Sequence, residues 1–161
     1  MSDRENVHAT GIVLAGAGVM LRGPSGAGKS LLALSLLDRW EGRGLVAALV
    51  ADDRLDLELS SAGLVMHAPP RIAGLAELRG RGIVIRDHQA EAPVHLVVDL
   101  VDRLERMVEE HELLTEVMGL ALPRCPVPRS GLAELGHQML LVSEALRALP
   151  VQPLTARQNT T

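Results

Sequence analysis

Apolar residues recur along the chain at two different spacings. Short continuous or alternating apolar runs, which are typical of strands, occupy residues 7–14, 18–22, 45–51, 55–59, 64–68 and 96–101. Longer stretches with apolar residues on one helical face occupy residues 28–40 and 131–149. Because strands and helices share one short chain, the pattern predicts an α/β fold.

Glycines separate the first of these elements. The sequence Ala-Gly-Ala-Gly at residues 15–18 is typical of a tight turn, so residues 12–14 and 19–21 are predicted to pair as a hairpin. Gly42 and Gly44 follow the first helical stretch, and glycine is the residue that most often ends a helix. A hairpin followed at once by a helix is therefore expected at the start of the domain.

Two later segments and the two ends have no clear periodicity. Residues 103–116 are densely charged, and their pattern allows either a helix or a partly mobile surface loop. Residues 120–128 contain three prolines, which favours an extended segment. The polar ends, residues 1–6 and 150–161, are predicted to be disordered, which leaves residues 7–149 as one domain.

Composition excludes several classes of function. Of the 161 residues, 47% are hydrophobic and 22% charged, as in an ordinary folded protein. With one Trp, no Phe, no Tyr and a net charge of −4, the chain is not expected to bind nucleic acid. Cys125 has no second cysteine to pair with, and we interpret it as a buried structural thiol. The sequence has no signal peptide and no membrane-length apolar run, so a cytoplasmic protein without a membrane partner is expected.

A phosphate-binding motif lies between the predicted hairpin and the first helix. It fits the Walker A pattern G-x-x-x-x-G-K-[ST], and the apolar strand before it and the helix after it supply the context that the motif requires. The predicted nucleotide-binding residues are Gly23, Pro24, Ser25, Gly26, Ala27, Gly28, Lys29 and Ser30.

The residue types of this motif suit a polyphosphate. Gly26 and Gly28 let the backbone wrap closely enough for several N–H groups to face the anion, and the helix that follows directs its positive end at the same point. Lys29 is expected to reach the β- and γ-phosphate oxygens, and the Ser30 hydroxyl is expected to bind Mg²⁺. The motif therefore predicts a bound polyphosphate tail together with Mg²⁺.

An acidic residue should accompany the phosphate loop, and the sequence offers two candidates. Asp52 and Asp53 directly follow the continuously apolar run 45–51, and Asp99 lies in the apolar run 96–101. Each is placed like the acid that ends a buried strand beside a phosphate loop, and this pattern leaves both open. The adjacent pair is better suited to proton transfer, because two neighbouring carboxylates repel each other and one of them then holds its proton more tightly.

Four stretches together resemble the catalytic domain of HPr kinase/phosphorylase, a bacterial enzyme that phosphorylates a serine of the phosphocarrier protein HPr. They are His8, residues 23–30, residues 51–54 and the run Glu-Leu-Arg-Gly-Arg-Gly-Ile at residues 77–83. The last run is the most specific, because generic P-loop kinases lack it. The resemblance covers roughly residues 7–147. It implies the HPr kinase and PEP carboxykinase type of fold, a mixed sheet with flanking helices, in the compact proteobacterial form without the N-terminal domain.

The resemblance also implies catalytic roles. Asp52 would be the base that takes the proton from the HPr serine hydroxyl, and Lys29 would hold phosphate oxygens. His8 matches the family's catalytic histidine, hydrogen-bonded to the acid pair. Arg106 sits where the family has an arginine that acts on the transferring phosphoryl group.

Further residues are implicated by the same resemblance. Ser30 and Glu77 would bind Mg²⁺, with Asp53 nearby, and residues 79–82 would shape the wall of the site. Residues 123–128 resemble the loop needed for the reverse reaction, in which inorganic phosphate attacks phosphoserine and pyrophosphate leaves. The family forms hexamers, so the resemblance implies a homo-oligomer.

The chain is thus interpreted as an ATP- and Mg²⁺-dependent serine kinase acting on HPr, and the sequence leaves the reverse reaction open. Two alternatives are kept. A small-molecule P-loop kinase would use a lid of clustered arginines, for which Arg79, Arg81 and Arg86 are available, but it does not explain Glu77. A nucleotide-binding switch without transferase activity would hydrolyse ATP and need no base at Asp52.

Overall fold

The structure, a computed structural model, describes residues 3–150. Twelve strands and two α-helices lie within that range. They are β1 (Arg4–Val7), β2 (Ala9–Leu14), β3 (Ala17–Arg22), α1 (Lys29–Gly42), β4 (Ala47–Ala51), β5 (Leu55–Ser60), β6 (Gly63–His67), β7 (Leu75–Leu78), β8 (Gly82–Ile85), β9 (Glu91–Pro93), β10 (Leu96–Val101), β11 (Leu114–Val117), β12 (Leu120–Pro128) and α2 (Leu135–Arg147).

A six-stranded mixed sheet with the order β11-β12-β10-β3-β2-β4 forms the centre of the domain. Strand β10 runs parallel to both β3 and β12, whereas β2 runs antiparallel to β3 and to β4. A second sheet, antiparallel throughout, has the order β1-β5-β6-β9, and β7 and β8 form a separate hairpin. Because β3 and β10 are parallel neighbours, the loop after β3 opens at the edge where β10 also ends.

The central sheet separates two apolar layers. Along β10, Leu96, Val98 and Leu100 pack with residues of both helices, whereas Val97 packs with residues of the four-stranded sheet. This alternation is the period of two that a strand buried on both faces produces. Both helices therefore cover one face of the six-stranded sheet and the smaller sheet covers the other.

Most predicted elements are present with shifted ends. The predicted hairpin is confirmed by β2 and β3, which pair from Ala9↔Arg22 to Leu14↔Ala17. The helix predicted for residues 28–40 runs from Lys29 to Gly42. The closing helix begins at Leu135 and not at residue 131, because Gly131 has a left-handed φ of 96°, which an α-helix cannot contain.

One prediction of irregular structure is corrected and one open alternative is decided. Residues 4–6 belong to β1, because this strand pairs with β5 from Arg4↔Glu58 to Val7↔Leu55. The charged segment 103–116 is not an α-helix, and its residues 103–109 form an exposed surface loop. It ends in a 3₁₀ turn, Glu110–Leu113, and in the first residues of β11. Residues 151–161, predicted to be disordered, lie outside the described residues.

The proline-rich segment 120–128 is the extended strand that its composition predicts. The N–H group of Arg129 donates to the carbonyl of Val101 on β10, so in this stretch the odd-numbered residues direct their N–H groups towards β10. Pro126 and Pro128 lie where β11 no longer pairs with β12, so their missing N–H groups leave no hydrogen bond unmade. In the described part of the chain, no helix is long and apolar enough to cross a membrane.

Candidate active site

Residues 23–28 of the Walker A motif connect β3 to α1, and we call them the phosphate loop. Their glycines have the backbone conformation that the motif predicts. Gly26 and Gly28 have φ angles of 82° and 98°, in the region that favours glycine. Gly28 directly precedes α1, and a Cβ atom there would lie 3.1 Å from the Cβ of Ser130. A side chain at this position would therefore be strained in φ and crowded as well.

Positive charge is concentrated at the start of α1. The Lys29 side chain is only 6% exposed, and its Nζ donates to the carbonyl oxygens of Gly23 (2.6 Å) and Pro24 (3.2 Å). No side chain caps the N-terminus of α1, and its first turn contains no acidic residue. The free N–H groups and the ammonium thus face the same space, which is the arrangement that binds anions in P-loop proteins.

Asp52 lies opposite this helix end, directly after β4. Its carboxylate accepts hydrogen bonds from Ser30 Oγ at 2.7 and 3.0 Å, and from Thr10 Oγ1 at 3.0 Å. The backbone N–H of Glu77 donates to its second oxygen at 3.2 Å. Three separate elements, β2, α1 and the β7–β8 hairpin, therefore contact one carboxylate.

Lys29, Ser30, Asp52 and Glu77 line a cavity of about 280 Å³, which we call the phosphate cavity. Its wall combines cationic, hydroxyl and carboxylate side chains with loop backbone, as a site for a phosphate and a cation requires. Lining residues are Ser25, Gly26, Gly28, Lys29, Ser30, Leu31, Asp52, Asp53, Glu77, Leu78, Arg79 and Ser130.

The structure brings most of the predicted site residues to this cavity. Of the predicted loop residues that do not line it, Gly23 and Pro24 bind the Lys29 ammonium, and Ala27 is buried at 2% exposure. His8 is exposed, and its Nδ1 lies 3.6 Å from Asp53 Oδ1, which is an ion-pair distance and too long for a hydrogen bond. His8 thus contacts the acid pair from the solvent side.

Arg106 does not line the phosphate cavity. It lines a different cavity, of about 480 Å³, together with Leu104, Val108 and His137. The role of Arg106 in phosphoryl transfer therefore stays a prediction, and its position in the structure does not support it.

Asp99 has a different environment from Asp52. Arg22 binds it with two hydrogen bonds, Nε to Oδ1 at 2.8 Å and Nη2 to Oδ2 at 2.9 Å, and Arg124 Nε donates to Oδ2 as well. Burial alone raises the pKa of this carboxyl, but the hydrogen bonds and charges of Arg22 and Arg124 together hold it below its ordinary value. Between the two candidates, only Asp52 lines the phosphate cavity.

Sequence reasoning missed two residues that contact the site. Thr10 is fully buried in β2 and donates to Asp52, although the run in which it lies reads as an ordinary apolar strand. Ser130 lines the cavity and its N–H donates to the carbonyl of Ala27 at 3.1 Å. The hydroxyl of Thr10 inside an apolar run was the one available hint, because buried hydroxyls need a partner.

The donor atoms fit a nucleotide tail with a hard cation. Oxygen atoms of Ser30, Asp53 and Glu77 share the cavity with Asp52, and oxygen ligands are those that Mg²⁺ prefers. Over residues 3–150, no group of three His, Cys, Asp or Glu side chains is close enough to hold a metal unaided. Magnesium in nucleotide sites is usually held by one or two protein oxygens together with phosphate oxygens, and Ser30, Asp53 and Glu77 could supply the protein part.

Comparison with known proteins identifies the family. The sequence matches the family described as the HPr Serine kinase C-terminal domain over residues 1–131. The chain belongs to this family. Two curated relatives, both described as HPr kinase/phosphorylase, show the extent of the similarity. The one from Bordetella pertussis (strain Tohama I) is 34% identical over an alignment of 129 positions, which covers 72% of this chain and 40% of the relative.

The second relative comes from Streptococcus thermophilus (strain LMD-9). It is 31% identical over an alignment of 164 positions, which covers 90% of this chain and 48% of the relative. This chain thus spans less than half the length of the two HPr kinase/phosphorylases.

A solved structure extends the similarity to the fold. The structure described as the Hpr(Ser) kinase/phosphatase from Coxiella burnetii superposes with a TM-score of 0.69 and 25% identity, covering 89% of this chain and 88% of that one. The predicted α/β fold of the HPr kinase type, with its mixed sheet, is confirmed. Its helices flank one face of that sheet.

Proposed function

We propose that this HPr kinase domain transfers the γ-phosphoryl group of ATP, with Mg²⁺, to a serine of an HPr-like phosphocarrier protein. The observation that carries the proposal is the contact of Asp52 with Ser30 at the start of α1. It combines, within one cavity, the carboxylate of a general base and the hydroxyl of a phosphate loop. The similarity to proteins described as HPr kinase/phosphorylase supports the choice of acceptor.

The residues of the cavity would have the following roles. Lys29 and the N–H groups after Gly26 bind the phosphates, and Ser30, Asp53 and Glu77 supply oxygen atoms to the cation. Bound Mg²⁺ would offset the negative charge of the phosphates. Asp52 accepts the proton of the acceptor serine hydroxyl and orients that hydroxyl towards the phosphate. His8 orients the exposed Asp53 carboxylate.

The remaining features of the proposal follow the family. We infer that the protein works in the cytoplasm as a homo-oligomer, a hexamer by resemblance to the family. The reverse reaction, phosphorolysis of phosphoserine-HPr by inorganic phosphate with release of pyrophosphate, would use the same cavity. An assay of pyrophosphate release from phosphoserine-HPr tests this second direction separately.

Asp52→Asn tests the proposal. The amide keeps the size of the side chain but cannot take a proton from the serine hydroxyl, so labelling of HPr by γ-labelled ATP should fall by about 100-fold or more. ATP binding should persist, because the phosphate loop is intact. Asp38→Asn makes the same chemical change on the exposed face of α1, outside the cavity, and should label HPr at the wild-type rate.

Three outcomes would contradict the proposal. Labelling at the wild-type rate in Asp52→Asn would exclude the base assignment. ATP hydrolysis without HPr labelling by the wild-type protein would favour a nucleotide-binding switch. Labelling of a small metabolite in place of HPr would favour a small-molecule kinase.

A further inference from the structure

Thr10 occupies an unusual position for a residue of an apolar strand. It is fully buried, and it is one of only three polar or charged residues that are buried among those the structure describes, the others being Lys29 and Gln138. A buried hydroxyl must find partners within the protein. Both partners of the Thr10 hydroxyl belong to the acid pair that follows β4.

The two hydrogen bonds of Thr10 have a fixed direction. The backbone N–H of Asp53 donates to Thr10 Oγ1 at 3.1 Å, and Thr10 Oγ1 donates to Asp52 Oδ1 at 3.0 Å. An amide N–H only donates, so the hydroxyl accepts there and its single proton points to the carboxylate. Thr10 thus links the backbone of one acid to the side chain of the other.

The backbone at this point is strained. Asp53 has a φ of 67°, in the left-handed region that residues with a side chain rarely adopt. The pairing of β2 with β4 also shifts register here, because Gly11 pairs with Ala51 while Ile12 pairs with Leu49. Such bulges redirect side chains beside functional sites, and the strained turn persists only where neighbouring groups hold it.

The other contacts of Asp52 do not replace this one. Ser30 is proposed to bind the cation, so its hydroxyl is not a permanent partner of the carboxylate. The Glu77 N–H at 3.2 Å contacts Oδ2, which leaves Oδ1 to Thr10 once Ser30 turns away. His8 contacts only the Asp53 side chain, from solvent.

We propose that Thr10 is a positioning residue that holds the Asp52 carboxylate in the orientation needed for proton transfer and stabilises the strained turn at Asp53. This inference rests on the proposed role of Asp52 as the base. Thr10 does not line the cavity proposed to bind the nucleotide. Its effect therefore belongs to the turnover step and not to nucleotide binding.

Thr10→Val tests the proposal, because valine keeps the shape of threonine and has a methyl group in place of the hydroxyl. The expected result is a kcat for HPr phosphorylation lowered by about 10- to 100-fold, the cost of a small misplacement of a reacting group, with an unchanged KM for ATP. Thr10→Ser restores the hydroxyl and should restore kcat. Thr10→Cys, which leaves only a weak donor, gives a second test if valine prevents folding, and it too should lower kcat.

Ile12→Val is the matched control. Ile12 lies on the same strand and the same side as Thr10, is fully buried, and packs in the helix-facing core. Losing one methylene there lowers stability without touching the acid pair. It should leave kcat at the wild-type value, which separates positioning from a general loss of stability.

A second readout does not depend on phosphoryl transfer. Hydrogen exchange of the Asp53 amide, followed by NMR, should be faster in Thr10→Val than in the wild type and normal in Thr10→Ser. Unchanged Asp53 exchange in Thr10→Val, or a wild-type kcat in that variant, would overturn the positioning role. A wild-type protein that labels no HPr would instead refute the proposed function, and the exchange rates would still decide whether Thr10 holds the turn.

Discussion

At the scale of single residues, the partners of a carboxylate decide what it does. Asp99 is bound by Arg22 and Arg124, so its charge is neutralised within the protein and its oxygen atoms are occupied. Asp52 is bound by two hydroxyls and one amide, and no cationic side chain is paired with it in the described structure. Asp99 therefore connects β3, β10 and β12, while the Asp52 carboxylate lines the phosphate cavity.

Stability should depend on pH through Asp99. Its pKa is lowered in the folded protein, so its contribution to the free energy of unfolding is complete above the unfolded-chain pKa of about 3.9. That contribution is lost as the pH falls from there through the lower folded-state pKa. Asp99→Asn should cost about 3 kcal/mol at pH 7, because it leaves two partly buried guanidinium groups without their counter-ion.

Urea unfolding at pH 7 and at stepwise lower pH measures this difference. The difference in the free energy of unfolding between the wild type and Asp99→Asn should become smaller as the pH falls. Asp102→Asn, at a largely exposed carboxylate near the same strand, is the control and should change little. A gap that stays constant down to pH 2 would contradict the assignment.

The sequence could predict the chemistry at this scale but not the partners. It indicated Lys29 and Ser30 because the phosphate motif has fixed spacing. The apolar pattern could not choose between Asp52 and Asp99, because the choice depends on Arg22, which is 77 positions away from Asp99. Only the family resemblance implied Asp52. Arg106 was placed by family resemblance alone, and that resemblance carries no information about the local path of this chain.

At the scale of elements, the phosphate loop depends on how α1 begins. Gly28 is left-handed and lies against Ser130, whereas Gly42, at the other end of the same helix, has open space around it. Gly28 directly precedes α1 and Gly42 is its last residue, yet the two glycines have different functions. Backbone freedom is required at the first and only tolerated at the second.

Gly28→Ala and Gly42→Ala should therefore have opposite effects on the free energy of unfolding. The first should destabilise by about 1–3 kcal/mol, the cost of a left-handed non-glycine residue, and should also weaken ATP binding because the loop amides move. The second should stabilise by roughly 0.5–1 kcal/mol, because alanine favours a helix. Thermal unfolding with and without Mg-ATP checks both, and equal effects of the two substitutions would show that the loop conformation does not matter.

Helices and strands with a clear apolar periodicity could be predicted from the sequence. Strands that exist only because they pair with another strand could not. The hairpin of β2 and β3 and both helices follow from apolar spacing and glycine breaks. Strand β1 is exposed and polar, so only its pairing with β5 makes it a strand. Strand β11 depends in the same way on β12, from Leu114↔Pro123 to Val117↔Leu120, which local composition does not reveal.

At the scale of the whole molecule, three layers enclose a core in which Cys125 is buried. Its side chain belongs to the apolar cluster between the central sheet and the helices, and its Sγ contacts the carbonyl of Leu141 at 3.5 Å. Burial raises the pKa of the thiol to about 12. Neither access nor ionisation allows this thiol to react while the layers remain packed.

Thiol labelling should therefore report global unfolding. At pH 8 the native protein should react with iodoacetamide several orders of magnitude more slowly than the urea-unfolded chain, since the thiolate is scarce and shielded. The rate should rise with urea in parallel with the loss of circular dichroism. Fast labelling at zero urea would show that the layer over Cys125 opens locally.

The buried ammonium at the phosphate loop is also the only primary amine carried by a side chain among the 161 residues, since every other basic position except the histidines is an arginine. An amine-selective reagent consequently has one side-chain target here, and that target lines the phosphate cavity. Acylation of Lys29, slowed by bound nucleotide, would report occupancy of the cavity directly. A covalent probe of this cavity therefore needs no added reactive residue.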